Sequence, residues 1–193
     1  MKNSQETKKS LSSALKKLMR SKEMDKISIR EITSLAGVNR QTFYYHFEDI
    51  YDLLRWTIQQ EAITLIDIHQ NAKEWQDGFR QLLYYLEQNK QFCLCALKSV
   101  GHEHMKRFFY SDLHNIVQKI VYNFGKKYET NEENKEYLTF LTHFFTISLG
   151  TLVASWLNDE MDYTPEQLIE MIDLFVKDHS KGFEMRLKES KDN

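Results

Sequence analysis

The residues best equipped for chemistry stand together in one short run: Asn39, Arg40, Gln41, Thr42, Tyr44, Tyr45 and His46, interrupted by Phe43. Their amide, guanidinium, hydroxyl, phenol and imidazole groups donate and accept hydrogen bonds, but no activated nucleophile or paired acid and base stands among them. This is the chemistry of recognition rather than of bond breaking, and the groups it suits are phosphate oxygens and the edges of bases.

Other candidate chemistry is thinner. Cys93 and Cys95, with His102, His104 and His114, supply metal-ligating letters. Side chains two apart on a helix point about 200° from each other, so one zinc ion could not easily take both thiols. Small core-filling thiols and surface histidines account for the same letters, and neither a metal nor a cofactor is expected. No G-x-x-x-x-G-K, G-x-S-x-G or H-E-x-x-H run occurs and the six glycines are scattered, so no catalytic residue is expected beyond a bare Cys93 nucleophile. The aromatics Phe79, Tyr85, Phe108 and Tyr122 could line a pocket for an apolar effector, although aromatics at helical spacing equally fill a core.

The elements that hold these groups are helices. With a single proline and six glycines in 193 residues the chain has little punctuation for strands. Leu11, Ala14, Leu15, Leu18 and Met19 give a first helix over about 5–20, whose other faces carry Lys8, Lys9, Lys16 and Lys17, either solvated or facing phosphates. Ser28 and Glu31 form a capping box, flanked by Ile27 and Ile32 as a hydrophobic staple, for a second helix over 29–36. Gly37 ends it, Asn39 caps a third helix over 40–46, and Asp49 caps a fourth. The third helix is too short to persist alone, so Val38, Phe43 and Phe47 must anchor it.

Apolar periodicity continues the helical pattern: a fifth helix from Trp75 to about Asn89, a shorter one from Phe92 to Val100 stopped by Gly101, and a seventh from Met105 to Gly125. The stretch 132–158 carries two apolar stripes, Leu138, Leu141, Phe145, Leu149, Leu152 and Trp156 on one side and Phe140, Phe144, Ile147, Thr151 and Ala154 with Ser148 and Ser155 on the other. Such a helix is covered from two sides, by a second subunit or by its own domain. Thr164, Pro165 and Gln167 then start a last helix carrying Met171 and Phe175.

Charge divides the same way. From Met1 to Phe47 ten Lys/Arg face four Asp/Glu, whereas the remainder holds 16 against 24, so the overall charge of −2 hides a basic head on an acidic body. No uninterrupted apolar run reaches the roughly 18 residues of a membrane span, the polar start is no signal peptide, and two cysteines fit a reducing cytoplasm.

The run Ala36 to Phe47, AGVNRQTFYYHF, resembles the DNA-binding signature of the TetR family of transcriptional regulators, and TFYYHFEDIYDLL resembles the subgroup of the activator of dihydroxyacetone kinase genes. The resemblance implies an all-α fold of about nine helices: a three-helix helix-turn-helix head over residues 1–56 and a larger bundle over 57–193 for effector binding and dimerisation. It implies double-stranded DNA with a palindromic operator as partner. Thr42, Tyr44 and His46, with Ser28 or Arg30, would contact phosphates, and Asn39, Arg40, Gln41 and Tyr45 would lie closest to bases.

The resemblance further implies a homodimer through the last two helices, with Phe144, Ser148, Thr151, Ser155, Met171 and Phe175 in the interface and small Ser148, Gly150 and Ala154 permitting close approach. Repression under a small-molecule effector is the leading expectation, and activation through a docked coactivator protein the alternative. One departure stands out: Ile50, preceded by Glu48 and Asp49, replaces the family's usual lysine at the start of the fourth helix, leaving backbone N–H groups to meet a phosphate there.

Overall fold

The computed structural model describes residues 4–67, 75–99, 103–125 and 132–189, and among them every regular element is helical. Helix α1 spans Ser4–Met19, and after a 3-10 turn at Met24–Lys26 come α2, Ile29–Ala36, α3, Arg40–His46, and α4, Ile50–Ile58. A π-helical turn, Gln59–Ile63, carries α4 without interruption into α5, Thr64–Asp67. The body continues with α6, Trp75–Gln88, α7, Lys90–Ser99, α8, Glu103–Gly125, α9, Glu132–Leu157, and α10, Pro165–Glu189. The expected stop at Gly101 lies outside the described residues.

Local chemistry explains the helix ends. Ser28 N–H donates to Glu31 Oε2 at 3.0 Å while Glu31 N–H donates to Ser28 Oγ at 3.3 Å, the reciprocal capping box. Thr164 and Gln167 repeat it at α10, at 2.9 and 3.3 Å. After α2, Gly37 adopts left-handed backbone at φ 68° and ψ 36°, and Val38 N–H reaches back to the Thr33 carbonyl at 3.0 Å. A Cβ at Gly37 would meet nothing within 4 Å, so the backbone angle alone makes glycine the residue of choice there.

No linker separates head from body. The expected boundary after Trp56 falls inside the α4–α5 helical run, where Thr57 is fully buried and its hydroxyl donates to the Leu53 carbonyl at 2.8 Å. One apolar core passes from Leu11, Leu15, Ile32 and Phe43 through Leu54 to Leu83, Phe92, Trp156 and Leu168. The π turn presents Glu61 to this junction. There it accepts from the Lys16 ammonium of α1 and from the Tyr85 hydroxyl of α6, the latter at 2.9 Å, while Lys16 also lies 5.3 Å from the Tyr85 ring centroid and 5.4 Å from that of Phe92. Lys16 is thus neither solvated nor turned towards phosphates: its charge is half-buried and spent on joining α1 to the body.

Helix α9 shows the expected pair of stripes. Leu141 and Trp156 are buried and Leu149 and Leu152 pack on the core, whereas Phe140, Phe144 and Ile147 are 60%, 46% and 59% exposed. Apolarity on both sides gives an 18-residue window within Asn134–Leu157 a mean hydropathy of 1.4, long and apolar enough by length and composition to cross a membrane, although His, Thr and Ser break any uninterrupted apolar run.

Candidate nucleic-acid interface

The head's outer face is built on buried aromatics. Phe43, fully buried, and Phe47, 3% exposed, fix the inner side of α3, with ring centroids 6.0 Å apart. Arg40, Tyr44, Gln41 and Tyr45 then spread over an arc of about 140° turned away from the core, and all four are exposed, Tyr44 to 52% and Tyr45 to 81%. An 81% exposed tyrosine has no packing reason to be there. Thr42 and His46 flank this face, half-buried.

Capping decides which polar groups remain available. Asn39 Oδ1 accepts from Thr42 N–H at 2.7 Å and from Thr42 Oγ1 at 2.9 Å, leaving the Asn39 amide nitrogen to donate. The Thr42 hydroxyl proton is already committed, so a phosphate contact there requires that hydroxyl to turn. Ser28 Oγ likewise donates to Glu31 Oε2 at 2.8 Å, which makes the exposed Arg30 the better-placed donor in the first turn of α2.

Glu31, paired with the Lys22 ammonium and accepting from the Ser28 backbone and hydroxyl, is held down to about 2 from a usual 4.5. Its carboxylate therefore supports this corner fully above pH 4.5 and loses that contribution as the pH falls towards 2. His46 is lowered first by burial and second by the nearby charge of Lys8. A neutral imidazole offers one N–H donor at the end of α3.

The start of α4 differs from expectation. Asp49 Oδ1 accepts from Asp52 N–H at 2.8 Å, and Asp52 Oδ2 accepts from Glu48 N–H at 3.2 Å. Carboxylates already occupy these donors and bring negative charge with them, so this helix end is poorly suited to a phosphate. Beside it stands the Lys8 ammonium, one of the α1 lysines the sequence left as either solvated or facing phosphates, 5.6 Å from the centroid of Phe47 and 5.8 Å from that of Trp56. Sequence marks Lys8 as polar, but its seat on two rings from other helices exists only in the folded head.

Of the four aromatics expected to line an effector pocket, the three whose side chains are described stand in different surroundings. Phe79 is in the core at 8% exposure, the Tyr85 hydroxyl is tied to Glu61, and Tyr122 projects from α8 at 61% exposure, while the side chain of Phe108 lies outside the described residues. An open groove of about 870 Å³ lies elsewhere, where Met19, Met24 and Tyr51 of the head meet Leu94, Cys95 and Lys98 of α7.

The two cysteines turn different ways. Cys93 is buried with its thiol pushed up to about 12, mainly by burial, and Cys95 Sγ donates to the Lys22 carbonyl at 3.5 Å. His114 packs against His143 at 4.9 Å between centroids, and the side chains of His102 and His104 lie outside the described residues.

On the far side of the body, α9 and α10 expose an apolar face. Phe144, Ser148 and Thr151 stand with Met171, 48% exposed, and Phe175, 52% exposed. Ring contacts from Phe144 to Phe145 at 5.8 Å and from Phe145 to Phe175 at 6.0 Å make it continuous across the two helices. Leu174, 53% exposed, extends it, and Ser155 is half-buried at its edge. At half-buried Gly150 a Cβ would stand 3.4 Å from Leu113 of α8, an ordinary contact.

Residues 11–55 match the family model described as bacterial regulatory proteins, tetR family, and residues 73–178 match a transcriptional regulator C-terminal region. The chain is 32% identical over 127 residues to the HTH-type dhaKLM operon transcriptional activator DhaS of Lactococcus lactis, covering 66% of this chain and 67% of that protein. It is 25% identical over 163 residues to an HTH-type transcriptional regulator of Staphylococcus aureus strain USA300, covering 80% and 84% of the two chains. The solved structure titled dihydroxyacetone kinase operon activator DhaS superposes with a TM-score of 0.71 at 24% identity, over 91% of this chain and 96% of that one.

Proposed function

Because the chain belongs to the tetR family of bacterial regulatory proteins, and is a transcription regulator rather than an enzyme, we propose that it binds a palindromic operator as a homodimer. The observation that carries this reading is the face of α3, where Arg40, Gln41, Tyr44 and Tyr45 are exposed together over buried Phe43. In the major groove that face would put Arg40, Gln41 and Tyr45 on base edges and Tyr44, His46 and Arg30 on phosphates. The head, residues 1–56, reads DNA, the remaining residues regulate and dimerise, and a regulator with this role works in the cytoplasm, where its operator is.

Selection from random duplexes tests it. Two inverted half-sites should emerge about 10 base pairs apart centre to centre, or a multiple of that. Arg40→Ala and Tyr45→Ala should each weaken the selected site roughly tenfold or more and relax preference at the base concerned. Tyr44→Phe should weaken all sequences alike. Unchanged affinity in all three variants would remove α3 from the groove.

For regulation we favour activation through a partner protein docked on the body. The Lactococcus lactis relative is by name an operon activator, and Phe79, one of the residues expected to line a pocket, lies instead in the core with Leu83 and Phe92, none more than 8% exposed. The 870 Å³ groove between head and α7 supports a second reading, a small-molecule effector that alters the head–body angle. A metabolite thermal-shift screen decides between them: stabilisation by one metabolite that Leu94→Trp abolishes supports the effector, and a silent screen with a co-purifying body-bound protein supports the partner.

A further inference from the structure

Lys8 carries a charge that the fold leaves unspent. Among the described residues no carboxylate pairs with its ammonium, although the head supplies carboxylates to Lys22 and Lys26. The side chain is half-buried and its ammonium lies over Phe47 and Trp56, whose rings meet edge to face at 5.9 Å. Two aromatic faces hold a cation in place without neutralising it, and the stem packs while the charged tip stays at the surface.

Its neighbour is His46, whose ring lies 6.3 Å from that of Phe47 at the last turn of α3. The adjacent start of α4 has Asp49 and Asp52 on its own N–H groups. An anion reaching this corner finds a fixed ammonium and an imidazole on one side and carboxylates on the other. A diester phosphate carries one negative charge and accepts from several donors, which matches the first side.

We propose that Lys8, seated on Phe47 and Trp56, forms with His46 a subsite for one backbone phosphate of the operator, at the edge of the recognition helix. The subsite rests on the operator-binding reading above. It fixes register and adds affinity without reading sequence, because a phosphate is the same at every step.

Salt dependence tests it, with fluorescence anisotropy of full-length protein on the selected operator and on an unrelated duplex. Lys8→Met keeps the stem on the rings and removes the charge. It should weaken both duplexes by a similar factor, roughly tenfold near physiological salt, and flatten the slope of log K against log salt by about 0.9. Lys8→Arg should retain the slope, since a guanidinium keeps both charge and ring stacking.

Lys17 lies about 180° around α1 from Lys8, so Lys17→Gln should leave the slope as in the wild type. An unchanged slope in Lys8→Met, or equal flattening in Lys17→Gln, would overturn the subsite. Wild-type protein that binds no duplex at any salt concentration overturns the operator-binding reading, and the subsite with it. The thermal midpoint of Lys8→Met, unchanged if the residue serves DNA and lowered if it serves only the fold, separates the remaining explanation.

Discussion

Replacing Phe144 and Phe175 together by aspartate is expected to yield a folded, monomeric protein that has lost operator affinity by roughly two orders of magnitude or more. Both rings are about half exposed in the single chain, at 46% and 52%. Their loss therefore costs little internal packing, while two carboxylates would be desolvated at any contact made through this face.

Operator binding suffers because two linked heads engage two half-sites with an effective concentration that multiplies affinity by about 10²–10⁴. Sedimentation equilibrium should show the mass change, circular dichroism an unchanged helix content, and anisotropy the loss on a full operator with little change on a half-site. A double variant that still sediments as a dimer would move the interface elsewhere.

Phe43→Ala is expected to have the largest effect on stability, about 3–5 kcal/mol. The residue is fully buried, touches Tyr44 edge to face at 5.6 Å, and is the inner anchor of a seven-residue helix. A helix that short has no stability of its own, so α3 and its recognition face should melt before the rest. Urea unfolding should show the lost stability, with operator binding gone at temperatures where the body remains helical. Phe43→Leu, which nearly conserves volume, should cost less than about 1.5 kcal/mol. Equal stability of Phe43→Ala and wild type would mean that α3 is held by contacts other than its core face.

Much of the head was legible before folding because its signals are local. Ser28 with Glu31, Gly37, Asn39 and Asp49 mark helix ends through groups at most five residues apart, so reading the letters in order recovers α2 and α3 to the residue. The two stripes of α9 were legible for the same reason, since helical periodicity depends only on spacing. The effector pocket was not. Phe79, Tyr85 and Tyr122 have similar apolar character, and only their neighbours decide that one is core, one a hydrogen-bond donor to Glu61 and one surface.

The sequence by itself therefore determined the helices, their caps, the basic head and the polar face of α3, all set by interactions within a few residues. Tertiary structure alone decided what Lys8, Lys16 and Glu61 meet. Lys8 and Lys16 lie on the same helix with the same chemistry. Both lie over two aromatic rings, yet only Lys16 also meets a carboxylate, 45 residues away at the head–body junction, while Lys8 has no such partner among the described residues. The physical reason is that a charge takes its role from the partner and the degree of desolvation it finds in space, and neither is written in the spacing of residues along a single helix.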